Sequence, residues 1–350
     1  MTEGQARRAT SADSSGTLWH SGTLATVSGN CAGAHFGSMP MTHADPTAPS
    51  RRPLRSGRPA RRAVDGAALA AQFETALDKV EQALALPDAT EMVHDARKAI
   101  KEYRALLRLM GSDEAKAARR LAADAARELS SSRDRQACRD ALADMAKAER
   151  LGPEDADRAA SLIGKDQDGA DEAASHERTL RGWLTEAHAR HAATLDAEAC
   201  ETDILDGVRK GYAKARAADD FSAPERMHDL RKRVVTHRYQ MSFLADLPAG
   251  TGKRRARRTQ KLRDVLGTYQ DIETLRHHLD GAGARLPEEL RARLAEAADA
   301  RQHDLIRKAR ALHADLFDSK AKAFGQKLER KLARKAGKSA QADTGDHAPS

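Results

Sequence analysis

The chain is poor in aromatic residues and in long apolar runs. Aromatic side chains make up 3% of its 350 residues, although hydrophobic residues make up 40% and alanine supplies much of that share. This balance suits closely packed helices better than a β-sandwich, whose strands favour aromatic and β-branched residues. The composition therefore predicts an all-α fold.

Cysteine is scarce as well. Cys31, Cys138 and Cys200 lie far apart and form neither a Cys-x-x-Cys pair nor a zinc-binding spacing, which is typical of a protein from a reducing compartment. No apolar run approaches the roughly 18 residues of a membrane span, and the N-terminus lacks the apolar segment of a signal peptide. We therefore expect a cytoplasmic protein without a membrane partner.

Candidate catalytic and metal sites are few. His277 and His278 are adjacent, so on a helix their rings cannot reach one metal ion. His176, His188 and His191 lie along one predicted helix without a matched group of carboxylates. We predict no metal site, no cofactor and no catalytic residues, and hence a protein that is not an enzyme.

Apolar periodicity divides the chain. Residues 1–64 are rich in Ser, Thr, Gly, Ala, Pro and Arg without an apolar period, and are predicted to be disordered and of low complexity. From there, apolar residues recur at intervals of three and four, as in amphipathic helices. The segment Gly164–Gly169 is predicted to be a linker between two halves. The predicted helices lie near 65–86, 88–110, 113–130, 133–150, 153–163, 171–196, 199–217, 222–245, 252–266, 269–280 and 287–317.

One sequence pattern occurs twice. VHDARKAIKEYR begins at Val93, and MHDLRKRVVTHR begins 134 positions later at Met227. Asp88 is a predicted N-cap for the first copy and Ser222 for the second, where Pro224 fits the first helical turn. A self-match at a fixed offset indicates an internal repeat.

Each copy predicts an apolar seam with a cationic stripe beside it. The seams are Val93, Ala96, Ile100, Tyr103, Leu107 and Met110 in the first copy, and Met227, Leu230, Val234, His237, Met241 and Leu244 in the second. One residue further round the first helix lie His94, Arg97, Lys101, Arg104 and Arg108. The second stripe, with His228, Arg231 and Arg238, departs from the pattern at Val235 and Ser242.

Cations without interleaved acids favour a polyanionic ligand, although exposed basic faces are often merely solvated. The stripes hold no Trp or Phe for stacking on bases, so the surface suits phosphates better than bases. A nucleic-acid-associated basic protein remains the alternative. It would use the segment from Lys253 to Arg263 and the Lys-rich C-terminal residues.

The paired His-Asp-x-Arg-Lys helices resemble those of the CHAD domain, the conserved histidine α-helical domain. The resemblance covers about residues 65–320, as repeats of about 65–163 and 171–318, and leaves 321–350 as a basic, flexible tail. It implies two pseudo-symmetric four-helix bundles with a basic groove or pore for inorganic polyphosphate, without catalysis, in a protein associated with polyphosphate granules. The Glu-x-Glu signature of the triphosphate hydrolases that are sometimes fused to CHAD domains does not occur.

The resemblance also assigns site residues. It carries polyphosphate binding over to His94, Arg97, Lys98, Lys101, Arg104 and Arg108 in the first repeat, and to His228, Arg231, Lys232 and Arg238 in the second. The basic segments that follow the motif helices add Arg119, Arg120, Arg254, Arg255, Arg257, Arg258 and Lys261. The two histidines have a second interpretation, as structural residues hydrogen-bonded to Asp95, Asp229 or the backbone.

Overall fold

A computed structural model describes residues 64, 66–129, 133–163, 170–195, 201–247, 250–281 and 286–345. These residues form helices and no strands, so the predicted all-α fold is confirmed for this part of the chain. The predicted linker 164–169 and all but residue 64 of the predicted disordered segment lie outside the described residues. The helices are α1 (Gly66–Leu84), α2 (Ala89–Leu107), α3 (Asp113–Glu128), α4 (Arg133–Lys147), α5 (Pro153–Ile163), α6 (Ala170–Leu195), α7 (Glu201–Arg216), α8 (Pro224–Asp246), α9 (Lys253–Asp280), α10 (Glu288–Leu316) and α11 (Ala321–Gly345).

The two motif helices begin in different ways. Asp88 caps α2 as predicted, with its carboxylate accepting from the backbone N–H of Glu91 at 2.7 Å. Ser222 does not cap α8, since its hydroxyl donates instead to Asp220 at 2.6 Å and Ala223 occupies the N-cap position. Pro224 at the first helical position starts α8, because its fixed φ already suits a helix.

Helices α1, α2, α3 and α6 pack together around the apolar seam of α2. All six predicted seam residues of this helix are buried. Tyr103 lies at the centre, with its ring edge-on to Phe73 at 5.4 Å and to Trp183 at 5.7 Å. Burial raises the pKa of its hydroxyl to about 12. Three of the few aromatic residues therefore meet in one place in the core.

A second core forms around α7, α8 and α11. Tyr212 stacks on Phe324 with ring centroids 4.0 Å apart, and the predicted seam residue His237 lies edge-on to both rings. His237 is fully buried, and burial lowers its pKa to about 3, so the imidazole is neutral. The other seam residues of α8 are buried too. His237 is therefore a core residue.

Helix α9 differs from the sequence prediction. Two helices, 252–266 and 269–280, were predicted with a break at Gly267, but α9 continues through this glycine to Asp280. Leu266 and Tyr269 on either side are buried, and helix α4 packs along α9. A glycine inside a helix costs about 1 kcal/mol relative to alanine, which burial of these two side chains offsets.

Helices α2 and α8 pack against each other. The Tyr239 hydroxyl of α8 donates to the backbone oxygen of Lys98 at 3.2 Å, and the Gln240 amide donates to that of Ala105 at 3.4 Å. Helices α4 and α9 also make contact. Packing of the two motif helices against each other is compatible with two related halves, and the pseudo-symmetric repeats themselves stay a prediction.

Residues 321–345 were predicted as part of a flexible tail, but they form α11. Phe324, Leu328 and Leu332 recur every four residues and are buried against α7 and its neighbours. The prediction counted the many lysines of this segment and missed the narrow apolar stripe between them. Among the described helices, none is both long and apolar enough to cross a membrane.

Ion pairs join the α4–α5 region to α10. Arg301 holds Asp144 through two hydrogen bonds of 2.7 and 3.1 Å, and Arg293 holds Asp155 through bonds of 2.8 and 2.9 Å. Arg150 donates to Asp304 at 2.6 Å. Paired hydrogen bonds to one carboxylate fix geometry as well as charge. These pairs therefore set how α10 lies against the first half of the chain.

Acid should weaken this interface. Hydrogen bonds from arginine lower the pKa values of Asp155 and Asp304. A carboxylate with a lowered pKa stabilises the fold above its unfolded-state pKa, near 4, and loses that contribution as the pH falls further. We expect the melting temperature to drop between about pH 4.5 and 3. In an Asp155→Asn, Asp304→Asn variant it should start lower at pH 7 and drop less.

The control for this experiment is Asp157→Asn, which changes an exposed aspartate on α5 whose carboxylate has no ion pair within the described residues. Its melting curve should follow that of the unmodified protein at every pH. A double variant with an unchanged acid transition would show that these ion pairs do not hold the interface.

Candidate anion-binding site

Four arginines beside the seam of α2 lie close enough for their charges to interact. Arg104 lies on α2 and Arg108 one turn later at its C-cap; the charge of Arg119 on α3 acts on both, and that of Arg233 on α8 acts on Arg108. We call these four residues the arginine cluster. Arg233 was not among the predicted site residues, because the repeat match places Ala99 at the corresponding position of the first motif.

The arginine cluster carries excess positive charge. Burial lowers the pKa of Arg108, and the positive charges of Arg119, Arg104 and Arg233 lower it further. The pKa of Arg104 is lowered by burial and then by Arg119 and Arg127, with Asp124 acting in the opposite direction. The Nε atom of Arg104 is buried without a hydrogen-bond partner among the described residues. An anion in this position would relieve both the repulsion and the missing bond.

The arginine of each motif ties its helix to the next one. Arg97 donates through Nη1 to the backbone oxygen of Leu129, at the carboxyl end of α3. Arg231 donates to the Gln270 side chain of α9 at 2.7 Å and lies over Gly267, where a Cβ would be 3.7 Å from its Nη2. Both hydrogen bonds help to position the motif helices, and the predicted contact of these arginines with phosphate stays a prediction.

The two motif histidines differ. His94 is exposed, and its Nδ1 lies 3.2 Å from the carboxylate of the adjacent Asp95. His228 is half-buried, its pKa is lowered, chiefly by burial, and its Nδ1 is buried without a hydrogen-bond partner among the described residues. The predicted structural alternative, with hydrogen bonds to the neighbouring aspartate or the backbone, fits His94 through Asp95.

The other predicted residues of the motif helices lie nearby. Lys98 is exposed beside the α2–α8 contact and Lys101 is partly buried. Lys232 is 3.6 Å from the carboxylate of Asp229. Arg238 lies over the ring of Tyr239, 4.5 Å from its centroid. Lys98 and Arg238 thus lie at the contact between α2 and α8, through Tyr239, and Lys232 lies on the side of α8 that faces α9.

The basic segments after the motif helices separate into two groups. Arg120 of α3 and Arg254, Arg257 and Lys261 of α9 are exposed. Arg255 and Arg258 of α9 are held by other parts of the fold.

Arg255 donates to the backbone oxygen of Leu316 at 2.7 Å and lies over the rings of Tyr212 and Phe324. Arg258 forms an ion pair with Asp315 of α10. Arg255 and Arg258 are therefore partly buried and already have partners within the fold, and their predicted contact with the ligand stays a prediction.

A cavity of about 470 Å³ lies between the start of α8 and the middle of α9. His228 and Lys232 line it, but Glu225, Asp229 and Glu273 line it as well. These carboxylates would repel a phosphate chain. The cavity is therefore an unsuitable extension of the cationic surface.

The described residues contain no group of three or more His, Cys, Asp or Glu side chains that could hold a metal ion. Cys138 is buried in α4, and burial raises the pKa of its thiol to about 11, so it is protonated at neutral pH. A thiol in this state is a poor nucleophile.

The fold and the cluster together define an all-helical protein with two packed motif helices and a concentrated cationic site beside them. A model of the CHAD domain matches residues 67–280, which is more than half of the chain, and the protein belongs to the CHAD-domain family. PptA from Streptomyces chartreusis is a solved structure with 16% identity, covering 73% of this chain and 99% of its own, at a TM-score of 0.48. Among curated proteins, none matches the sequence.

Proposed function

We propose that the protein binds inorganic polyphosphate without catalysis, through the arginine cluster and the cations next to it. The single observation that carries the proposal is the convergence of Arg104, Arg108, Arg119 and Arg233, whose charges disfavour one another in the free protein. Membership of the CHAD-domain family, which the sequence resemblance connects with polyphosphate, gives the ligand class.

The chemistry of the ligand fits the cluster. Polyphosphate is a thin, flexible chain with a negative charge on each unit, so cations from several helices can contact successive units and displace their counterions. Each guanidinium can hold two phosphate oxygens at once through its planar fork of N–H groups. Lys98, Lys101 and Arg238 would extend the contact past the cluster along α2 and α8, and Arg254, Arg257 and Lys261 would extend it along α9.

A location in the cytoplasm, on polyphosphate granules, belongs to the same proposal, as does the absence of catalysis. In support of binding without catalysis, the cluster residues are always protonated near neutral pH, so none of them can serve there as a general base. Incubation of the full chain with polyphosphate and Mg²⁺ or Mn²⁺ should release no inorganic phosphate. Phosphate release that increases with the protein concentration would contradict this part of the proposal.

The first test is direct binding by the full chain. Long-chain polyphosphate, single-stranded RNA and single-stranded DNA of equal charge are titrated over 50 to 300 mM salt. We expect polyphosphate to bind most tightly and its affinity to fall steeply with salt. Shortening the chain to triphosphate should weaken binding, because fewer cations are contacted at once. Equal affinity for all three polymers would mean that the cations act only as a general basic surface.

A further inference from the structure

Helix α11 presents a second cationic surface, remote in sequence from the motif helices. Its buried residues occupy one side, and the cations Lys327, Arg330, Lys331 and Arg334 follow a spacing of three and four on an exposed side. We call these four residues the α11 face. Glu329 is the only acidic residue among positions 321–337 of the helix. The face is therefore strongly positive.

The α11 face is rigidly held. Phe324 of α11 stacks on Tyr212 and lies beneath the guanidinium of Arg255, 4.8 Å from its Cζ atom. Lys335 donates to the backbone oxygen of Gly250, just before α9 begins. This contact brings α11 close to the exposed cations Lys253 and Arg254 at the start of α9. The contacts of Phe324 and Lys335 thus fix α11 beside the start of α9.

The shape of this surface differs from that of the arginine cluster. In the cluster, the charges of cations from different helices act on one another, so they lie close enough for a thin and flexible chain to contact several of them. On α11 the four cations of the face lie on one exposed side of a single helix, between positions 327 and 334, over about 11 Å of its axis. A helix surface of this kind cannot surround a thin chain, but it can lie along a stiff rod. A nucleic-acid duplex is such a rod, with one charge per about 1.7 Å of its axis.

The residue types of α11 also favour a duplex over a single strand. Proteins that bind single strands place aromatic side chains among their cations so that bases can stack, but Phe324, the one aromatic residue of α11, is buried. Gln326 is exposed next to the face, but the face itself consists of two lysines, which act as mobile point charges, and two arginines, which can hold phosphate oxygens bidentately. We propose that the α11 face, with Lys253 and Arg254, binds the phosphate backbone of duplex nucleic acid without sequence specificity, independently of the polyphosphate site.

The test compares two variants of the full chain. The α11 variant carries Lys327→Gln, Arg330→Gln, Lys331→Gln and Arg334→Gln. The control variant removes the same charge from α4, α5 and α6, through Lys147→Gln, Arg158→Gln, Arg178→Gln and Arg190→Gln. Binding of a 25-base-pair duplex of mixed sequence, a single strand of equal charge and long-chain polyphosphate is measured over 50 to 300 mM salt. Circular dichroism confirms that each variant is folded.

We expect the α11 variant to bind the duplex at least tenfold more weakly at 100 mM salt, with unchanged polyphosphate affinity. The slope of log K against log salt should decrease by about 0.9 for each lost phosphate contact, or by about 3.6 if each of the four cations contacts one phosphate. The control variant should keep most of the duplex affinity. Three results would overturn the inference: no duplex binding by the unmodified protein at 100 mM salt, an equal loss in both variants, or a polyphosphate loss as large as the duplex loss.

Discussion

Replacing Arg104, Arg108, Arg119 and Arg233 with glutamine should lower the affinity for long-chain polyphosphate at 100 mM salt by a factor on the order of 100. A modest loss of about 0.7 kcal/mol of binding free energy per position is typical of screened charge pairs. Summed over the four positions, it corresponds to that factor. The same variant should melt at a higher temperature than the unmodified protein, because the four cations repel one another and Arg104 is only partly hydrogen-bonded. Titration and thermal melting on one preparation measure both.

Opposite changes in affinity and stability are the decisive result, since they separate a binding site from a structural one. A structural cluster would lose stability when its residues are replaced, and its affinity would fall only because the fold weakens. The matched control is the α11 variant, which removes the same charge from another surface and should keep polyphosphate affinity within about twofold. If both variants lose affinity equally, total charge and not the arginine cluster governs binding.

Single substitutions should also distinguish arginines that bind polyphosphate from arginines that stabilise the fold. Arg108→Gln removes a cation whose interactions are repulsive, so the melting temperature should rise while polyphosphate affinity falls. Arg97→Gln removes the hydrogen bond to the oxygen of Leu129, so stability should fall. Two arginines of one predicted stripe would then respond in opposite ways.

The sequence predicted the helices and the apolar seams because both depend on local periodicity. Val93, Ile100 and Tyr103 repeat at the helical interval and are buried where the pattern places them. The unbroken path of α9 through Gly267 was missed, because packing of α4 against α9, a contact distant in sequence, overrides the local effect of a glycine. The helix α11 was missed for a related reason: its apolar stripe is narrow and its docking surface comes from α7.

The site was predictable only in part. Periodicity places Arg104 and Arg108 on one stripe, but it cannot show that Arg97 of the same stripe bends towards Leu129. Arg233 joins the cluster through the packing of α8 against α2, and no spacing within one helix reveals this approach. Which cations converge is a property of helix packing, so the sequence gives the candidates and the fold selects among them.

Gly207→Ala adds a single methyl group, but it should destabilise the protein strongly. A Cβ atom at this position of α7 would lie 2.7 Å from the Cα and 2.8 Å from the oxygen of Leu109, in the turn directly after α2. Backbone atoms cannot rotate away as a side chain could, so α7 and the end of α2 must separate. Overpacking of this kind typically costs about 1–3 kcal/mol, and each kcal/mol lowers the melting temperature by roughly 2–4 °C in a domain of this size.

Gly182→Ala is the matched control, because it makes the same change in the interior of α6 where nothing lies within 4 Å of the new Cβ. It should stabilise the protein by about 0.5–1 kcal/mol, through the lower entropy of the unfolded chain. Thermal or urea unfolding of both variants measures the difference. Equal effects would show that α7 does not lie this close to the end of α2.

The arginine cluster should respond to the strain that Gly207→Ala introduces. Leu109 follows Arg108 directly, so a shift of the turn after α2 moves one member of the arginine cluster relative to Arg233 on α8. Gly207→Ala should therefore weaken polyphosphate binding at temperatures where the variant remains folded, although no charge has changed. Unchanged affinity together with the expected loss of stability would place the strain in α7 alone and show that the geometry of the cluster does not depend on the contact between α7 and α2.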